Sequence, residues 1–111
     1  MAKLVSKHRV KVNIGEGDPA VFVLRQPTNE EINKFNSEKS AFKLNKKSFM
    51  SHAEELRCKF FDKLLIEVGD LVDEGDVPIT VERKELIPSN AKTATILELF
   101  ESVEAEVDGK N

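Results

Sequence analysis

The stretch FMSHAEELRCKFFDKLLIEVGDLVDEGDVPITVERKELIPSNAKTATILELF (49–100) decides the fold of this chain. Two long amphipathic segments in it flank an acidic loop, LVDEGDVP, and the Ile87-Pro88 pair breaks the chain before the last segment. In both segments apolar residues recur at spacings of three and four, which is the period of a helix with one buried face. The stretch therefore predicts a small helical protein whose apolar surface is its most informative feature.

The first of these segments predicts a helix that ends at Gly69. Ser51 has the capping-box spacing to Glu54, although Ser48 could also start the helix. Gly69 then closes it, as glycine does at the position after a helix C-cap. The apolar face of this helix consists of Ala53, Leu56, Phe60, Phe61, Leu64, Leu65 and Val68.

The second segment predicts the last helix of the chain. Residues 79–86 are ambiguous between strand and helix, and we favour two helical turns that end at Pro88. Ser89 or Asn90 then caps the last helix. Its predicted apolar face contains Ala91, Ala94, Leu97, Phe100 and Val103, with Ile96 and Leu99 flanking it.

A β-hairpin is predicted over residues 8–25. Val10, Val12 and Ile14 alternate with polar residues, which is the pattern of a half-buried strand, and residues 20–24 are again β-prone. The glycines and proline of residues 15–19 form the turn. A lone hairpin is only marginally stable, so we expect the face with Val10, Val12 and Ile14 to pack on the helices.

The helical part is predicted to span residues 28–106. Thr28 and Glu31 form a capping box at its start, and Ile32 and Phe35 supply a short apolar stripe. Residues 36–47 are polar and basic, and they predict a partly helical connector. Residues 107–111 are expected to fray. The predicted fold class is therefore α+β, with an N-terminal β-hairpin followed by three to four α-helices.

Composition and length favour one globular domain over residues 1–111. The sequence is 40% hydrophobic and 33% charged, as is typical of a folded chain with a large surface. A single cysteine excludes an internal disulfide. The N-terminus lacks the apolar run of a signal peptide, and no stretch is long and apolar enough to cross a membrane, so we expect a cytoplasmic protein that does not bind membranes.

The net charge of −3 conceals a difference between the two halves of the chain. Residues 1–50 contain ten lysine and arginine residues against five acidic ones, whereas residues 51–111 contain seven against fifteen. Such polarity can favour head-to-tail self-association or attract a charged partner. The simpler alternative, which we favour, is that the halves fold against each other into one mixed surface.

Few residues have catalytic or metal-binding chemistry. His52 and Cys58 lie six apart on one predicted helix and therefore on different faces, and His8 starts a strand. The acidic residues of the loop lack the ligand spacing of an EF-hand, so a solvated turn is favoured; they are Asp70, Asp73, Glu74 and Asp76. The turn at Gly15 and Gly17 lacks the pattern of a phosphate-binding loop. We expect no catalytic site, no metal site and no cofactor.

Binding surfaces are the remaining candidates. Lysines interleaved with Phe42 and Phe49 could contact nucleic acid, but a solvated connector explains them better; they are Lys39, Lys43, Lys46 and Lys47. We also expect the apolar faces at 60–68 and 97–103 to leave an edge open to a helix from a partner. The residues predicted to bind that partner are Phe49, Phe60, Leu64, Leu97 and Phe100.

Three segments carry a family resemblance. They are FVLRQPTNEE (22–31), FFDKLLIEV (60–68) before an acidic loop, and LIP (86–88) a few residues ahead of Lys92 and the last helix. In these segments and in the order of its elements, the chain resembles the small tail assembly chaperones of long-tailed bacteriophages and prophages.

The resemblance implies a non-enzymatic, self-associating protein that binds the tape measure protein or another tail protein. Such a chaperone keeps the hydrophobic tape measure protein soluble until tail tube subunits polymerise around it. The alternatives are a small structural or connector component of the phage particle and a weak nucleic-acid-binding protein, with nucleic acid the less favoured partner.

Overall fold

A three-stranded antiparallel sheet and the helices that follow its hairpin make up this α+β fold. The computed structural model describes residues 1–4, 6–41 and 46–101, with side chains for all of these except 46–51. The predicted fold class is confirmed: an N-terminal hairpin precedes the helices. The sheet also contains a third strand that the sequence did not predict.

Strands β1 (Lys7–Val12) and β2 (Ala20–Arg25) form the hairpin, with Val10 opposite Phe22. The predicted facing is confirmed, because Val10 is buried and Val12 and Ile14 pack against the core. In the turn, Gly17 has a φ of 90°, which side chains other than glycine rarely adopt.

Strand β3 (Leu65–Gly69) pairs with the free edge of β2, so β2 is the central strand. The prediction that the preceding helix continues to Val68 and ends at Gly69 is therefore wrong. The backbone groups along the second edge of β2 need partners, and 65–69 supplies them. Leu65 is still buried and Val68 still packs against the core, so these apolar residues face the core in the strand as they would in the predicted helix.

Helix α1 (Asn29–Ser40) begins with the predicted capping box. The backbone N–H of Glu31 donates to Thr28 Oγ1 at 3.1 Å, and the Thr28 N–H donates to the Glu31 carboxylate at 2.9 Å. The helix continues through residues 36–40, so this part of the predicted connector is helical. Phe42 and Lys43, also in that connector, lie outside the described residues.

Helix α2 (Lys46–Leu64) starts earlier than either predicted serine. Lys46 and Lys47 are good helix formers, so the helix does not need the serine caps to begin. The apolar face is confirmed up to the end of the helix, since its members are buried; they are Ala53, Leu56, Phe60, Phe61 and Leu64.

Residues 81–86, which we expected to be helical, form a 3-10 helix, Val81–Leu86. Helix α3 (Ser89–Ile96) follows and passes into a π-helical turn, Leu97–Glu101. The predicted caps are wrong, because Pro88 occupies the N-cap and no side chain caps this helix. The prediction had assigned the residues of this π-helical turn to a regular helix. Val103 lies outside the described residues.

The predicted apolar face of α3 is also partly wrong. Ala91 is buried as predicted, but Ala94 and Leu97 are exposed, while Thr95 and Ile96 are fully buried. Polar side chains can face the core here because each finds a partner. The Thr95 hydroxyl donates to the Ala91 carbonyl at 2.9 Å, which leaves no buried donor unsatisfied at that position.

The core lies between the inner face of the sheet and the helices. Its fully buried large apolar residues are Phe22, Leu24, Phe61, Leu64 and Ile96. Phe22 of β2 meets Phe61 of α2 edge to face, with the ring centroids 5.2 Å apart. On the opposite face of the sheet, alternate residues of β1 are exposed and basic; they are Lys7, Arg9 and Lys11.

Candidate partner-binding groove

Of the five residues predicted to bind a partner, the four whose side chains the structure describes do not gather at one surface. Phe60 and Leu64 are buried in the core, and Leu97 is exposed. Phe100 is half-buried against Phe60, with ring centroids 5.8 Å apart. The Phe49 side chain lies outside the described residues. Leu64 therefore offers no surface to a partner in this conformation, whereas Phe60 contributes to the floor of a groove.

This groove lies between α1 and α2, whereas the predicted opening was between α2 and the last helix. The two helices run antiparallel, since Glu31 contacts Lys63 near one end and Phe35 contacts Phe60 farther along. A surface cavity of about 170 Å³ opens between them. Its lining is Glu31, Lys34, Phe35 and Glu38 from α1, with Leu56, Lys59, Phe60 and Lys63 from α2.

The floor of the groove is apolar. Phe35 and Phe60 stack almost in parallel, with centroids 4.6 Å apart and an angle of 8° between the rings. Leu56 lies one turn before Phe60 and completes the floor. All three side chains are largely buried, so the apolar area that is exposed to solvent is small and lies where the cavity opens.

An ion pair fixes the Glu31 end of the groove. Arg25, at the end of β2, donates to both carboxylate oxygens of Glu31 at 2.7 Å, and Lys63 of α2 approaches to 3.3 Å. The hydrogen bonds from Arg25 and from the Thr28 backbone hold the pKa of Glu31 well below its usual range. Strand β2, helix α1 and the end of α2 are thereby tied at one carboxylate.

A second carboxylate, Glu101, ties the π-helical turn to both walls. Lys39 of α1 donates to Glu101 at 2.6 Å, and Arg57 of α2 donates to it at 2.8 Å. Burial raises the pKa of Glu101, but the hydrogen bonds from Arg57 and Lys39 outweigh burial and lower it. Sequence analysis did not find this cluster, because its members are 62 and 44 residues apart.

The contacts of Lys39 are relevant to the lysine-rich segment that we considered as a possible nucleic-acid contact. Its ammonium group is committed to Glu101 and also lies 5.1 Å from the centre of the Phe35 ring. It is therefore poorly placed to meet a phosphate. Lys43 and the side chains of Lys46 and Lys47 lie outside the described residues.

The residues with reactive side chains have separate surroundings. His8 hydrogen-bonds the Gln26 side chain and meets the Phe100 ring edge-on at 5.5 Å. Cys58 faces α3, with its sulfur 3.7 Å from the Ser89 carbonyl oxygen, and His52 is half-buried on α2. Among residues 1–4, 6–41 and 46–101, no three His, Cys, Asp or Glu side chains are grouped so that they could hold a metal ion.

The acidic loop is organised by Asp73. Its carboxylate accepts hydrogen bonds from the backbone of Gly75 at 2.8 Å and of Val77 at 3.0 Å, and from Arg83 at 2.6 Å. The bonds from Arg83 and Val77 lower the pKa of Asp73. These donors occupy the carboxylate of Asp73. The role of Asp73 is therefore accounted for by its hydrogen bonds within the loop and to Arg83.

Comparison with protein-family models, with curated proteins and with solved structures finds no match to this chain. The resemblance to phage tail assembly chaperones therefore stays a prediction. Within the described part of the chain, no helix has the length and apolar character needed to cross a membrane.

Proposed function

We propose that this protein is a non-catalytic tail assembly chaperone of a phage or prophage, which binds a helix of the tape measure protein in the groove between α1 and α2. The observation that carries the proposal is the groove itself. An apolar floor under charged walls, set between two helices, is the arrangement that accepts the apolar face of an amphipathic helix.

The volume of the groove is sufficient for one anchoring side chain of a partner. Cavities of roughly 150 Å³ accept a benzene ring, and the volume here is about 170 Å³. A phenylalanine or leucine from a partner helix would pack against Phe35, Phe60 and Leu56, which line this cavity. One anchor and a shallow floor give modest affinity for any single segment, which suits a chaperone that must release its client when the tail tube polymerises.

The walls support a pre-formed site. Glu31 and Glu101 hold α1 against α2 toward the two ends of their contact, and each carboxylate bonds residues from more than one element. A groove held in this way needs little rearrangement on binding, so less ordering entropy opposes the complex.

The test is coexpression of this protein with the tape measure protein encoded in the same genome. We expect a soluble complex that copurifies, whereas the tape measure protein alone aggregates. Lys34→Trp should abolish copurification by filling the groove, because Lys34 lines it and its side chain is exposed. Asn33→Trp is the matched control, since Asn33 is exposed on the same helix outside the lining.

Two results would contradict the proposal. If the tape measure protein stays insoluble with this protein present, a structural component of the phage particle becomes the better interpretation. If Lys34→Trp and Asn33→Trp copurify equally well, the groove is not where the client binds. Light scattering on the free protein and on the complex measures the expected self-association in the same experiment.

A further inference from the structure

The charged side chains around the groove are not equally available. The exposed side-chain fraction is 72% for Lys34, 72% for Lys59 and 51% for Lys63, against 43% for Glu38 and 13% for Glu31. The surface that a partner would meet at the rim is therefore mostly cationic, although the lining contains both signs of charge.

Glu31 contributes little negative charge to the rim. Its oxygens accept from Arg25, Lys63 and the Thr28 backbone, so its charge is already balanced by groups of this protein. By contrast, among the described residues the ion-pair partners of Lys34 and Lys59 are exposed and one helical turn away, at 3.9 Å from Glu38 and 3.6 Å from Glu55. Exposed pairs of this kind are weak, so both ammonium groups can exchange partners.

The lysines stand on both walls. Lys34 rises from α1, and Lys59 and Lys63 rise one turn apart from α2. A helix that lies along the groove with its apolar stripe on Phe35 and Phe60 would therefore have ammonium groups on both flanks. Carboxylates on both sides of that stripe would complement them.

We propose that the groove selects an amphipathic helix whose apolar stripe is flanked on both sides by Asp and Glu. This inference rests on the proposed function, and it names the chemistry of the client segment. Lys34 meets the carboxylates of one flank, Lys59 meets those of the other, and one large apolar side chain fills the cavity. A helix with lysine flanks is rejected by repulsion from the same two lysines.

The experiment uses three fluorescently labelled synthetic helical peptides with the same apolar stripe and with Glu, Gln or Lys at every flanking position. Anisotropy titrations with the full-length protein at low salt should rank them Glu, then Gln, then Lys. We expect about tenfold between Glu and Gln, which corresponds to about 1.4 kcal/mol. The advantage should shrink as ionic strength rises, because these charges are exposed.

Two charge-reversed variants test whether the rim lysines cause the ranking of the peptides. Lys34→Glu with Lys59→Glu should invert the ranking, so that the Lys peptide binds best. Lys7→Glu with Lys11→Glu makes the same change in net charge on the exposed face of β1, and it should preserve the original ranking. Circular dichroism melting of both variants verifies that they fold.

The outcomes separate this inference from the proposed function. Equal affinity for the three peptides, or the same response to both double variants, overturns the acidic-helix inference even if the tape measure protein copurifies. Copurification that survives in the Lys34→Glu and Lys59→Glu variant overturns it also. If the wild-type protein binds the peptides in the expected order but no tape measure protein copurifies, the inference holds for the groove and the proposed function fails.

Discussion

Two phenylalanine pairs in this protein differ in what surrounds them. Phe22 and Phe61 meet edge to face at 5.2 Å, and both are fully buried between the sheet and α2. Phe35 and Phe60 stack at 4.6 Å between α1 and α2, and the groove opens above them. The first pair is enclosed on every side, whereas the second has protein beneath it and a cavity above it.

The difference separates stability from binding. Closely packed rings lose both hydrophobic and dispersion energy when one is removed, because the enclosed cavity cannot collapse. Rings beside an open groove already lack some of those contacts, and a partner can supply them. We therefore expect the enclosed pair to determine folding and the open pair to determine recognition.

The largest expected effect is at the enclosed pair. Phe61→Ala should lower the free energy of unfolding by about 3–5 kcal/mol, as for other buried phenylalanines. Phe35→Ala should cost less, because solvent and neighbouring side chains can fill the space at the groove. Urea unfolding measures both, with the exposed Leu4→Ala as a control near zero.

The comparison fails if Phe35→Ala costs as much as Phe61→Ala. Should Phe61→Ala not fold at all, Phe61→Leu and Phe35→Leu provide a milder pair of variants with the same expected order.

A smaller effect is expected at Glu101, which accepts hydrogen bonds from Lys39 of α1 and Arg57 of α2. Glu101→Gln should lower stability at neutral pH by about 1.5–3 kcal/mol, since hydrogen bonds to charged groups contribute about that much. Its pKa is lowered in the folded protein, so the carboxylate stabilises the fold above about pH 4.3, the ordinary value for glutamate. That contribution is lost as the pH falls through the folded-state pKa.

The cost of Glu101→Gln should therefore fade as the pH is lowered below about 4.3. Thermal melts of wild type and variant across that range measure it, with Glu16→Gln, exposed in the hairpin turn, as the control. A cost that is independent of pH would mean that the Glu101 charge does not contribute to the contact between α1 and α2.

The smallest expected effect is that of metal removal, since the carboxylates of Glu31 and Glu101 beside the groove pair with protein side chains. Dialysis against a chelator should leave the melting temperature unchanged, because stability then contains no metal-binding contribution. A clear decrease would point to a ligand set at the acidic loop and would require a new account of Asp73.

Local patterns in the sequence determined a large part of this fold. The alternation of Val10, Val12 and Ile14 predicts the inner face of β1, and Thr28 with Glu31 predicts the start of α1. The spacing of apolar residues predicts which face of α2 is buried. Each of these features involves residues a few positions apart, so propensity, capping and periodicity are sufficient to specify it.

Only the tertiary structure decided the third strand, the orientation of α3 and the groove. Residues 65–69 leave the helical pattern because β2, more than forty residues earlier in the chain, offers an unpaired edge. Glu101 meets Lys39 across 62 residues, and the groove exists only where α1 and α2 come together. Interactions between such distant residues depend on the folded arrangement of whole elements, which local sequence patterns do not encode.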